Sequence, residues 1–139
     1  MYEIELKEYK DYYNNYYYTA KNEAGQILNI EFNGWSSNKS IVYYVKFYIG
    51  KRKQGYDFLN TTGKDGLKSL IWAKNCIKHF IDNVQLPLKY NYFTSQTIAI
   101  FWDDSQRRDV YTWGLKSLGF LIDVIENKKC LMYKFKTNK

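Results

Sequence analysis

The feature that most constrains this chain is a change of hydrophobic period near residue 66. Before it, Ile4 and Leu6 alternate with charged neighbours. Further on, Ile41-Val42-Tyr43-Tyr44-Val45-Lys46-Phe47-Tyr48-Ile49 is nearly all β-branched or aromatic. Strand side chains alternate between faces, and residues of this kind fill a pleated, half-buried surface. After residue 66, Leu67, Leu70, Ile71, Ile77, Phe80 and Ile81 recur at steps of three and four, the spacing of one buried helix face. Lys68, Lys74, Asn75 and Lys78 take much of the opposite face. A chain carrying both periods in this order belongs to the α+β class.

The alternation predicts strands over residues 3–9, 16–22, 26–32, 40–49 and 56–60, arranged as an antiparallel meander. Glu23-Ala24-Gly25 reads as a short hairpin turn, and Gly34-Trp35-Ser36-Ser37-Asn38 as turn chemistry. The long helix opens at Gly66 and gives way to a connection over residues 84–92 that contains Pro87. Thr97-Ile98-Ala99-Ile100-Phe101-Trp102 is a continuous apolar strand, expected to be buried on both faces. Asp103-Asp104-Ser105 offers cap chemistry for a second helix, which Gly119 should end in a left-handed conformation with Phe120 folding back. Strands over 120–125 and 129–135 follow, joined by Glu126-Asn127-Lys128. The expected fold is a mixed, mostly antiparallel central sheet of six to seven strands. A long helix follows the fourth strand region and a second lies near the C-terminus, all in one domain over residues 1–139.

A chain of 139 residues buries enough surface to need no disulfide or metal staple. Cys76 and Cys130 lack CxxC spacing and read as buried reduced thiols, and a single histidine, His79, excludes a His-based metal cluster. No apolar run approaches the ~20 residues of a membrane span. The first seven residues alternate charge with hydrophobicity, unlike a signal peptide, so a cytoplasmic protein is expected. Lysine and arginine outnumber acids by 21 to 14, a formal charge of +7, which favours an anionic partner. Fifteen tyrosines suit half-buried strands whose hydroxyls stay wet. The lysine-, asparagine- and tyrosine-rich composition suits an AT-rich genome such as that of a phage.

The glycine-bracketed turn Thr62-Gly63-Lys64-Asp65-Gly66 before the long helix is a natural phosphate seat, because free backbone N–H groups gather at a helix start. With the strand that follows and the Leu118-Gly119-Phe120 ending of the second helix, it resembles the GCN5-related N-acetyltransferase fold over residues 40–136. In that family a Q/R-x-x-G-x-G/A turn holds the CoA pyrophosphate, and the next strand splays from its neighbour to leave a slot for pantetheine. A helix ending Tyr-x-x-x-Gly-Phe then supplies a tyrosine that protonates the departing thiolate. Gly66 matches the first motif glycine, while Lys68 stands for the second and Gly63 for Gln/Arg. The position four before Gly119 is Leu115, and Tyr111 lies one helical turn further back.

The resemblance implies acetyl-CoA binding by Phe58, Leu59, Asn60, Gly63, Lys64, Asp65, Gly66, Leu67, Lys68 and Ser69. It offers Tyr111 as acid, with Glu31 as a remote base for an amine acceptor and a strand amide near Phe101 or Trp102 for the carbonyl. Plainer roles stand beside these. Gly63 and Gly66 also suit a simple turn, Tyr111 core packing, and Asp103 and Asp104 helix caps; Arg107 and Arg108 suit a phosphate or an exposed ion pair. The alternative function is a non-catalytic protein of the same fold that binds a protein or nucleic acid. Lys51, Arg52 and Lys53, flanked by Tyr48 and Tyr56, would then contact phosphates and bases.

Overall fold

Seven strands form one sheet in this computed structural model, which describes residues 5–7, 15–21, 25–49, 66–83, 95–102 and 105–135. The strands are β1 (Glu5–Lys7), β2 (Tyr16–Lys21), β3 (Ile27–Ser37), β4 (Ser40–Ile49), β5 (Ser95–Ile100), β6 (Leu121–Ile125) and β7 (Lys128–Lys134). Their order across the sheet is β1-β2-β3-β4-β5-β7-β6. Every neighbouring pair is antiparallel except β4 with β5. Helix α1 (Gly66–Asn83) lies in the chain between those two parallel strands. Helix α2 (Ser105–Leu115) lies between β5 and β6 and continues into a 3-10 turn, Lys116–Leu118. The α+β class, the mixed sheet and both helices agree with the sequence. The strand expected over 56–60 and the connection over 84–92 fall outside the described residues.

The third strand is longer than its composition suggests. Gly34, Trp35, Ser36 and Ser37 are turn residues by propensity, yet they pair with Tyr43, Val42, Ile41 and Ser40. The turn shrinks to Asn38-Lys39, with Asn38 taking a positive φ of 47°. Past the end of β2, the Asn15 side chain continues the ladder by accepting a hydrogen bond from Gly34 N–H at 3.1 Å. Pairing with a strongly β-forming partner outweighs local turn preference here. The β5 strand ends at Ile100, two residues earlier than expected, and β7 begins at Lys128. The last hairpin therefore turns on Glu126-Asn127 alone, both at positive φ as a two-residue loop requires.

The second helix stops as the sequence indicates. Gly119 is left-handed at φ 99°, its N–H donates to Lys116 O at 3.0 Å, and Phe120 N–H donates to Leu115 O at 3.4 Å. These bonds satisfy the last carbonyls, while Phe120 and Leu115 enter the same core cluster.

That core covers the face of the sheet on which the helices pack, and it is aromatic. Phe80 of α1 stacks on Phe32 at 4.0 Å with the ring planes 1° apart. It meets Tyr43 edge-on at 5.0 Å and Tyr16 at 5.6 Å. Tyr16, Tyr18 and Tyr43 are buried rather than half-wet, a departure from the sequence expectation. Tyr18 keeps its hydroxyl satisfied at 2.9 Å from His79 Nδ1, which gives the lone histidine a structural role. The Tyr43 hydroxyl has no hydrogen-bond partner among the described residues, and burial first, then Tyr16, raises its pKa. The opposite face carries a smaller cluster of Ala99, Cys130 and Met132 with Val42, Tyr44, Phe101 and Ile125. Both cysteines are free and buried, and burial raises both thiol pKa values.

Two substitutions read this core in opposite directions. Phe80→Ala removes the ring at the centre of the cage and should cost about 3–5 kcal/mol in chemical denaturation. Tyr43→Phe deletes only an unsatisfied hydroxyl and should change stability by less than about 1 kcal/mol, with a gain allowed. A loss of more than about 2 kcal/mol in Tyr43→Phe would mean that the hydroxyl is bonded in the native state.

Candidate functional site

The parallel pair β4–β5 does not run its full length. Cα partners extend from Ser40↔Ser95 to Tyr44↔Ala99 and stop there. The β4 strand continues to Ile49, still paired on its other side with β3 as far as Leu28↔Ile49. Residues 45–49 thus lack a partner on β5, and this unpaired stretch at the carboxyl end of β4 is termed the wedge.

Aromatic side chains meet this wedge from both faces. On the helix face the Phe47 ring lies 5.6 Å from that of Tyr111 on α2. Tyr111 is buried and points inward with Leu115, one turn along the same helix face. On the opposite face Tyr44, the last paired residue of β4, stacks on Phe101 at 6.0 Å. Phe101 follows directly on β5, so this pair bridges the strands at the apex.

The α1 helix runs antiparallel to β4. Phe80 sits on Tyr43, and a helix in the crossover between two parallel strands returns against their direction. With Phe80 over the middle of β4, the path toward the helix start climbs toward the end of that strand. The first turn of α1 therefore lies at the same end of the sheet as the wedge. It contains no acidic residue, Lys68 in it is exposed, and Ser69 is buried. A helix start with a glycine first residue, no acid in its first turn and an exposed lysine has the electrostatic character that an anion needs.

Of the residues singled out in the sequence, Gly66, Leu67, Lys68 and Ser69 form this first turn. Phe58, Leu59, Asn60, Gly63, Lys64 and Asp65 lie outside the described residues, as do Lys51, Arg52, Lys53, Asp103 and Asp104. Tyr111 reaches the wedge. Glu31 does not join it there: it is buried on the opposite face, across from Tyr17 and Lys46. The two candidate proton-transfer groups are thus on different sides of the sheet.

Sequence reasoning missed Phe47 as a wall of the wedge, and it missed a second cavity altogether. A pocket of about 620 Å3 lies on the outer flank of α2, lined by Trp102, Asp109, Thr112, Trp113, Ile122, Lys128 and Lys129. The helical spacing of Asp109, Thr112 and Trp113 marks one face, but nothing local says which strands it overlooks.

No family model, curated protein or solved structure matches the chain.

Proposed function

We infer that the chain is an acetyl-CoA-dependent N-acetyltransferase-like protein acting on an amine. The observation that carries this reading is the wedge: one parallel strand pair in an otherwise antiparallel sheet, parting at the end where α1 begins. Ligands of open sheets settle where strand order and direction leave a crevice at the carboxyl ends. Strand order, the crossing helix and the Leu118-Gly119-Phe120 stop all support an acetyltransferase-like fold.

The first turn of α1 would hold the pyrophosphate, through the backbone N–H groups of Gly66, Leu67 and Lys68 and the Lys68 ammonium. Acetyl-CoA, when bound, would supply an activated thioester carbonyl for attack by a neutral amine, with the CoA thiolate as leaving group. Tyr111 holds a proton on the inner wall beside Phe47, where a leaving sulfur would need one. Glu31 offers a carboxylate on the far face, so proton uptake from the acceptor would run through water on that side. The acceptor would therefore approach from the face opposite the helices.

A second reading, a non-catalytic protein on the same scaffold that binds a protein or nucleic acid, draws on Leu115. This leucine is buried in the core at the position where the family carries its tyrosine.

Isothermal calorimetry with acetyl-CoA separates the two. The first reading predicts saturable heat at micromolar to low millimolar cofactor, and the absence of heat at millimolar cofactor contradicts it. Lys68→Glu places an acid where the helix dipole welcomes one, so it should fold at least as stably while binding acetyl-CoA about tenfold more weakly. Equal affinity in that variant would remove the first turn of α1 from the site. Tyr111→Phe should reduce turnover about 10²- to 10⁴-fold with cofactor affinity retained, as loss of a general acid does. Unchanged turnover would leave Tyr111 as a packing residue.

A further inference from the structure

The pocket on the outer flank of α2 has a lining that the acetyl-transfer reading does not use. Asp109, Thr112 and Trp113 face it, whereas Tyr111 and Leu115 face the core from the other side of the same helix. Trp113 is 77% exposed and stacks on no other ring among the described residues, an uncommon position for so large an apolar surface. Trp102 supplies a second indole and Ile122 an apolar floor, itself half exposed. Across from them, Lys128 and Lys129 enter from the start of β7. The Lys128 ammonium lies 5.1 Å from the centre of the Phe101 ring, on the face of the sheet opposite the helices, so by strand alternation Lys129 is the one of the two whose side chain faces α2. Lys129 is exposed and makes no ion pair among the described residues.

The volume suits a small-molecule or single-residue ligand, and the lining combines flat aromatic surface with adjacent positive charge. A purely apolar ligand would leave Lys129 idle, and a simple anion would leave the indoles idle. The geometry points to a nucleobase carrying a phosphate as the ligand: the base stacks on Trp113 beside Trp102, and the phosphate is held by Lys129. The chain's formal charge of +7 draws such a ligand in. This site stands independently of acetyl transfer.

The test is fluorescence anisotropy of a labelled twelve-thymidine oligonucleotide, titrated with the full chain over a range of salt concentrations. Wild type should bind at low salt, and Trp113→Ala should weaken binding roughly 5- to 150-fold, the loss expected for one stacked base. Lys129→Ala should reduce the slope of log affinity against log salt by about 0.7, the loss of one single-strand phosphate contact. Trp113 and Lys129 are exposed enough for the variants to fold, which far-UV circular dichroism checks. Displacement of the oligonucleotide by thymidine monophosphate assigns the pocket to a free nucleotide. Failure of millimolar mononucleotide to displace it assigns the pocket to a strand. Absence of wild-type binding at low salt, wild-type affinity in Trp113→Ala, or equal competition by an acidic peptide overturns the proposal.

Discussion

The placement of α1 on the sheet depends on the docking of one ring. Phe80 enters a cage of Phe32, Tyr16 and Tyr43, contributed by three adjacent strands, and so fixes where α1 crosses the sheet. Interdigitated aromatic edges and faces tolerate little sliding, because a shift that improves one contact opens another. With the later half of α1 pinned over Tyr43, a rigid helix rising about 1.5 Å per residue carries its start toward the end of β4. The helix start therefore lies toward the end of the sheet at which β4 outruns its pairing with β5. The Tyr18 hydroxyl bonded to His79 adds a polar latch to the same contact.

The wedge itself follows from strand direction. A parallel neighbour cannot be reached by a tight hairpin, so the chain must cross over between β4 and β5, and α1 lies in that crossover. Antiparallel β3 keeps the far end of β4 paired to Ile49, so this strand stays ordered where β5 has already turned away. Phe47 and Tyr111 close the helix side, and Tyr44 with Phe101 closes the apex from the other. The unpaired end of β4 thus carries an aromatic pair on each face of the sheet.

Much of this was legible in the sequence, and the remainder was hidden for identifiable reasons. The extent of α1 follows from the spacing of Leu70, Ile77, Phe80 and Ile81, and the stop at Gly119 from its place before Phe120, both local signals. The strand through Gly34 to Ser37 was not legible, because its residues prefer turns and only pairing with β4 holds them straight. Nor was the burial of Tyr16, Tyr18 and Tyr43, since tyrosine alternation looks the same whether its hydroxyl meets water or a protein interior. At the site, the glycine-led helix start was readable from residue type alone. The contact between Tyr111 and Phe47 depends on how α2 settles against a distant strand, and the separation of Glu31 from Tyr111 depends on strand register. Neither is encoded in any short stretch of residues.

The most direct measurement of the central claim, that the first turn of α1 and the free end of β4 form one ligand site, is an amide chemical-shift titration with CoA. The account predicts that the resonances of Gly66, Leu67 and Lys68 move together with those of residues 45–49 and saturate at a common ligand concentration. Saturable shifts confined to other parts of the sheet, with both of these segments unmoved, would contradict it.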